Sequence, residues 1–271
     1  MDSIINQSTN QLTNQSNNQL YNYTLHLADS TLILTQRNGA WCGHGPILEQ
    51  DIAITNITLD LIGQSRNFYQ YAAKLIGHGA SEDSLAYIRT EREFKNALLV
   101  EQENGDWAQT ILRQFFFSMY QYLLYEKLQH SKEVQLAAIA AKSLKEVTYH
   151  VKWSSEWVIR LGDGTEESKE RMQKAIEILW QYTGEMFVPS DYEKALAEEN
   201  IIPDVALLKD AWIEKVSSVF EEATISSPFG GGWEGAVFQQ MGGKQGVHSE
   251  KLGYILAEMQ YLQRVYPGAE W

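Results

Sequence analysis

ILEQDIAITNITLDLIGQSRNFYQYAAKLIG, residues 47–77, carries aliphatic or aromatic side chains at Leu48, Ile52, Leu59, Ile62, Tyr69 and Ile76. The steps between them are threes, fours and sevens, the repeat of a single helical face. At ~1.5 Å per residue such a helix is roughly 45 Å long. That is longer than an ordinary globular helix and suits a bundle. The rest of the chain follows the same pattern. Leu25, Leu32 and Ile33 share a face of a helix that runs from Leu20 to about Arg37. Gly39 and Cys42-Gly43-His44-Gly45-Pro46 then interrupt it. A shorter helix is expected over 83–99, a turn at Asn104-Gly105, and long helices over 106–129 and 132–161. Ser131 is the expected N-cap of the latter. Gly162-Asp163-Gly164 stops it, and Thr165 caps a fifth helix whose first turn holds Glu166 and Glu167, favourably placed for the helix dipole.

The second half adds shorter pieces. Ser190 and Glu193 have the spacing of a capping box. Further helices are expected over 204–224 and 249–266, with Leu252, Ile255, Met259 and Leu262 on one stripe of the last. A Gly/Ser loop lies at 226–232 and a glycine cluster at 242–246. No stretch reads as a strand, and no short-period repeat is visible. The fold class is therefore all-α, a long-helix bundle with additional C-terminal helices. Residues 1–19 are mostly Asn, Gln, Ser and Thr, too poor in apolar surface to offset ordering entropy. They are expected to form a disordered tail ahead of a single domain at 20–271.

Composition narrows the function classes. The 271 residues carry a formal charge of −13, which argues against nucleic acid as a partner. A single cysteine, Cys42, excludes an internal disulfide and fits a reduced, cytoplasmic setting. It reads as a partly buried small hydrophobe rather than a nucleophile. The chain starts without a basic, then apolar, leader. No run reaches the ~18 apolar residues of a membrane span; the greasiest stretch, Phe115 to Tyr125, is broken by Ser118 and Gln121.

A long four-helix bundle invites a test for a di-iron centre, which takes a Glu from each of two helices and a Glu-x-x-His from each of two others. The chain has six histidines, and the residues three before them are Tyr23, Trp41, Leu75, Lys127, Val147 and Gln245. None is acidic. The nearest candidates are Asp29, Asp60, Glu146 and His150. Glu146 and His150 are four apart, and position 149 is Tyr149. Three residues after Asp60 stands Gly63. The helix at 106–129 offers Ser118, Tyr122 and Glu126. Asp29, Asp60, Glu146 and His150 are best read as degenerate metal positions that form a buried hydrogen-bonded network. No catalytic residue is assigned. A Gly-x-Ser-x-Gly elbow is absent, against a serine hydrolase. Gly242 to His248, with Lys244, has the ingredients of a phosphate cradle, but neither the Walker A nor the dinucleotide spacing. It is better read as a connector to the last helix. Trp153 and Trp157, four apart, and Phe115, Phe116 and Phe117 read first as core and second as partner interface.

Several stretches carry a family resemblance: WCGHGP (41–46), NITLDLIGQSRNF (56–68), EREF (91–94), LLVEQ (98–102), AKSLKEVTYH (141–150), GGK (242–244), LAEMQYLQRV (256–265) and Pro267-Gly268. Together they resemble the C subunits (PaaC) of phenylacetyl-CoA epoxidases, the ring 1,2-phenylacetyl-CoA monooxygenases, over nearly everything after residue 20. The resemblance implies a ferritin-like helical fold. It implies a non-catalytic structural subunit of a multicomponent monooxygenase in aerobic phenylacetate catabolism. The partners it implies are a catalytic A subunit, a small B subunit and a reductase. No cofactor belongs to this chain on that reading. Di-iron belongs to the A subunit, and NADPH, FAD and an iron–sulfur centre belong to the reductase. Ser118 stands where some relatives are expected to carry an acidic residue. Two alternatives remain: a self-sufficient ferritin-like di-metal oxygenase with atypical ligands, and a plain homodimeric bundle. Self-association of the isolated chain fits an exposed apolar interface.

Overall fold

A computed structural model describes residues 2–229, 232–234 and 238–269, with side chains described from Ser16 onward except at Glu234. Among the described residues there are nine α-helices and no strand. Four are long: α1 (Asp2–Gly39), α2 (Leu48–Ile76), α4 (Trp107–Leu128) and α5 (Val134–Gly162). Helix α1 packs along α2, α4 packs along α5, and α2 touches α5 to close the bundle. The helical backbone of α1 starts at Asp2 rather than near Leu20. The expected tail over 1–19 falls, for residues 1–15, outside the described side chains.

Local chemistry explains the joints. Between α1 and α2, Asp51 Oδ1 accepts from the Gly43 and Gly45 amides at 2.8 and 3.1 Å. A Cβ on Gly45 would stand 2.8 Å from that of Asp51, so the turn needs glycine there. Thr165 caps α6 (Glu166–Leu179), as its spacing predicts, with Oγ1 accepting from Ser168 N at 3.2 Å. Ser131 does not cap α5. Glu133 holds the N-cap position, and the Ser131 hydroxyl instead donates to the Ile201 carbonyl at 2.5 Å. The same oxygen accepts from the Glu133 amide at 3.1 Å, so Ser131 ties the turn before α5 to the Ile201 backbone.

The helix expected over 83–99 is much shorter. Helix α3 covers Glu82–Tyr87, and a single 3₁₀ turn follows at Glu91–Glu93. Residues 94–102 are irregular yet mostly buried. Buried backbone amides need partners, and side chains from elsewhere supply them. Lys95 N donates to Asp29 Oδ2 at 2.8 Å, Ala97 N to Ser30 Oγ at 3.2 Å, and Leu98 N to Glu185 Oε2 at 2.8 Å. Local periodicity cannot reveal partners so far along the chain.

Helix α4 is the centre of the molecule, with Phe115, Phe116 and Phe117 all buried. Helices α6 and α8 (Lys209–Glu222) cover α4 and α5, α7 (Asp191–Glu198) lies on α1, and α9 (Glu250–Val265) closes over α3 and α1. On α2 the inward residues are Ala53, Ile54, Ile57, Leu61, Gln64, Ser65, Phe68, Tyr69, Tyr71 and Ala72. Of the aliphatic stripe read from the sequence, only Tyr69 is among them. Leu48, Ile52 and Leu59 are 71, 51 and 61% exposed. The period was correct and its direction was not, because α2 has an aliphatic row on two sides.

Candidate functional site: polar networks inside the helical bundle

Asp60 and His150 meet where α2 packs against α5, and Glu146 stands one turn before His150 and meets Gln64. Fully buried His150 places Nε2 3.1 Å from Asp60 Oδ2, and Gln64 Nε2 donates to Glu146 Oε2 at 2.9 Å. The Asp60 side chain remains 37% exposed. Burial pushes the Glu146 carboxyl above its ordinary pKa; the Gln64 amide opposes this and the Asp60 charge adds to it. Toward the core, Ser118 accepts from Gln114 Nε2 at 2.6 Å, and Gln114 Oε1 accepts from Asn38 at 2.6 Å. At this level α1 and α4 meet through neutral amides and a hydroxyl.

Asp29 does not join this group, and the expectation of one network through all four residues is corrected. Asp29 is fully buried and paired with Arg89. It also accepts from Tyr69 Oη at 2.5 Å and from the Lys95 amide at 2.8 Å. Burial works against the Arg89 charge, but Asp29 outweighs it and holds the guanidinium above its ordinary pKa. The result is two networks, one deep under α1 and one shallow between α2 and α5.

These donors do not fit a pair of irons. Such a centre needs about six ligands of fixed type. Asp29 is engaged by a guanidinium, Glu146 faces an amide, and only Asp60 and His150 touch each other. Among the described residues no three His, Cys, Asp or Glu side chains are grouped so as to hold a metal ion.

The glycine cluster is not a phosphate cradle. Lys244 is 1% exposed, and its ammonium donates to Glu193 Oε2 at 2.9 Å and to the Met186 and Val188 carbonyls at 3.3 and 3.2 Å. Burial raises the Glu193 carboxyl, but Lys244 and His26 outweigh it and hold its pKa low. The glycines permit close packing: a Cβ at Gly243 would sit 2.3 Å from the Asn96 carbonyl, and one at Gly246 2.2 Å from that of Arg92. Nearby, His248 Nδ1 lies 2.9 Å from Glu101 Oε2, with both side chains fully buried. Burial disfavours the imidazolium, yet the bond and charge of Glu101 prevail and raise the His248 pKa. Sequence reading missed Arg89, Glu101, Glu185 and Glu193 as partners. Glu193 carried a local signal, its capping-box spacing with Ser190, but nothing in the sequence marked the distant partner of any of the four.

The remaining readings resolve as core. Trp153 and Trp157 both donate to Gln50 Oε1, at 3.0 and 2.6 Å, and both stand edge-on to Trp107. Cys42 is partly buried, with the Thr55 hydroxyl 3.2 Å from its sulfur. No helix among the described residues is long and apolar enough to cross a membrane.

Helical pairs α1/α2 and α4/α5, with interior carboxylates already engaged by other side chains, define a ferritin-like bundle that lacks the Glu-x-x-His helices of a metal centre. The chain belongs to the family described as Phenylacetic acid catabolic protein, whose model matches residues 1–271. It is similar to the C subunit of the 1,2-phenylacetyl-CoA epoxidase of Escherichia coli (strain K12), with 50% identity over 249 residues, 92% of this chain and 98% of the relative.

Proposed function

We propose that this chain is the non-catalytic structural subunit of a multicomponent phenylacetyl-CoA epoxidase, the counterpart of the Escherichia coli C subunit. Its work is to hold a catalytic sister protein, which carries the di-iron centre, in a rigid and correctly shaped form. A small misplacement of reacting groups can cost ~100-fold in rate, so a supporting subunit has a direct effect on chemistry performed elsewhere. The observation that carries the reading is the engagement of the would-be ligands: Asp29 by Arg89, Glu146 by Gln64, and Asp60 by His150. The likeness to the Escherichia coli protein over 98% of its length supports the assignment of the system.

The test is co-expression with the catalytic, small and reductase subunits, followed by elemental analysis and assay of phenylacetyl-CoA oxidation. The chain alone is expected to hold no stoichiometric iron and to oxidise nothing, whereas the complex is active. Two irons per isolated chain would overturn the proposal and revive the self-sufficient enzyme.

A further inference from the structure

The chain holds two Asn-Gly steps, Asn38-Gly39 and Asn104-Gly105. In such a step the glycine amide nitrogen, unhindered by a side chain, can attack the asparagine carboxamide carbon. Both asparagines meet one cation: Arg113 Nη2 donates to Asn104 Oδ1 at 2.6 Å and to Asn38 Oδ1 at 3.4 Å. Arg113 is fully buried and belongs to no ion pair among the described residues. Its Nη1 donates to the Gln102 carbonyl at 2.7 Å, and its Nε has no partner among the described residues. A buried charge compensated only by neutral groups is costly. Burial, with the nearby Arg37 charge, pushes the Arg113 pKa down to about 9.

Tertiary structure separates the two steps. Asn38 and Gly39 end α1. Asn38 has no exposed surface, its Nδ2 donates to Gln114 Oε1 at 2.6 Å, and the Gly39 amide lies in the helical hydrogen-bond ladder. Asn104-Gly105 is the turn before α4. Gly105 is exposed, with φ +58°, and its amide donates to nothing among the described residues. Asn104 is half-buried and held at every polar atom of its side chain: Oδ1 by Arg113, and Nδ2 on the Arg37 carbonyl at 2.8 Å. Its own carbonyl accepts from the Thr110 hydroxyl at 2.9 Å.

We infer that Asn104 is a self-modification site, at which the carboxamide becomes a carboxylate paired with Arg113. The Gly105 nitrogen bonds to Asn104 Cγ and gives up its proton. The Cγ–Nδ2 bond breaks, ammonia leaves with that proton, and a succinimide ring is closed. Water then adds at Cγ and the new Cγ–N bond breaks, which returns a proton to the Gly105 nitrogen and leaves a side-chain carboxyl that ionises. Arg113, on Oδ1, polarises Cγ in both steps and faces the oxygen charge that develops there. Opening the ring at the backbone carbonyl instead gives isoaspartate. Only the neutral Thr110 hydroxyl assists that route, and a charged hydrogen bond is roughly twice as strong as a neutral one. The product loses the Nδ2 bond to the Arg37 carbonyl and gains an ion pair with a buried guanidinium, and the same factor favours that exchange.

The experiment incubates the full chain in mildly alkaline buffer, folded and in denaturant, and then digests it. Peptides that carry Asn38 and Asn104 are followed by the mass gain of amide-to-acid conversion, with aspartate and isoaspartate separated by chromatography. In denaturant both steps should convert at similar rates, mainly to isoaspartate. In the folded chain Asn104 should convert roughly tenfold or more faster than Asn38, whose Gly39 amide must first lose a hydrogen bond, and mainly to aspartate. Asn104→Asp should raise the thermal midpoint by about 2–4 °C, as one added hydrogen bond of ordinary strength would. Arg113→Gln should shift the Asn104 product toward isoaspartate; if that variant does not fold, the Asn104→Asp midpoint decides the pairing. Equally slow conversion of both asparagines in the folded chain would overturn the site. Isoaspartate as the main folded product, or an Asn104→Asp midpoint at or below that of the wild type, would overturn the pairing with Arg113 and the inference with it.

Discussion

Asp29 and Asp60 are both helix carboxylates in a four-helix bundle, yet they live in different chemistry. Asp29 has no exposed surface and is met by a guanidinium, a phenol and a backbone amide. Asp60 keeps 37% of its side chain in water and meets one imidazole. A charge deep in a low-dielectric interior persists only when compensated from several sides. A charge at the edge keeps much of its hydration and needs less. The deep region is therefore a lock that ties α1 to the irregular 94–102 segment and α9. The shallow one is a seam between two helices under an outward-facing surface.

That contrast predicts unequal costs. Asp29→Ala strands the Arg89 guanidinium and should lower unfolding free energy by about 3–5 kcal/mol in denaturant titration. Replacing both partners together, Asp29→Leu with Arg89→Met, should recover much of the loss; no recovery would mean the lock depends on the Lys95 amide instead. Gly243→Ala places a methyl against the Asn96 carbonyl 2.3 Å away and should cost about 1–3 kcal/mol. His248 sharpens the comparison through pH. Its folded pKa is raised above the unfolded value of about 6.5. Its contribution is thus fully present below that value and lost as pH rises through the folded one. The wild type should lose stability relative to His248→Gln between mildly acidic and alkaline buffer. A constant difference in thermal midpoint would contradict the ion pair. At the seam, Asp60→Asn should change stability by less than about 1 kcal/mol, as for a partly exposed pair. A loss equal to that of Asp29→Ala would erase the distinction between the two regions.

Much of the fold was readable from periodicity and caps. Helices α2, α4, α5 and α9 lie close to their expected bounds, and Thr165 and Ser190 cap as their spacing indicates. The missing Glu-x-x-His was readable too, because that motif is local. Three things were not. The partition of Asp29 away from Asp60, Glu146 and His150 depends on Arg89, which is 60 residues away along the chain. The fate of Lys244 depends on Glu193, 51 residues away. The outward direction of the α2 row is a matter of which side of a two-sided helix meets α1 and the rest of the bundle.

By itself the sequence determined an all-helical bundle and showed that no Glu-x-x-His occurs in it, since both are read from spacings of three and four residues along one helix. Only the tertiary structure decided which carboxylate is neutralised by which cation, and which aliphatic row faces water. Those outcomes depend on distances between segments remote in the chain, which no local period encodes.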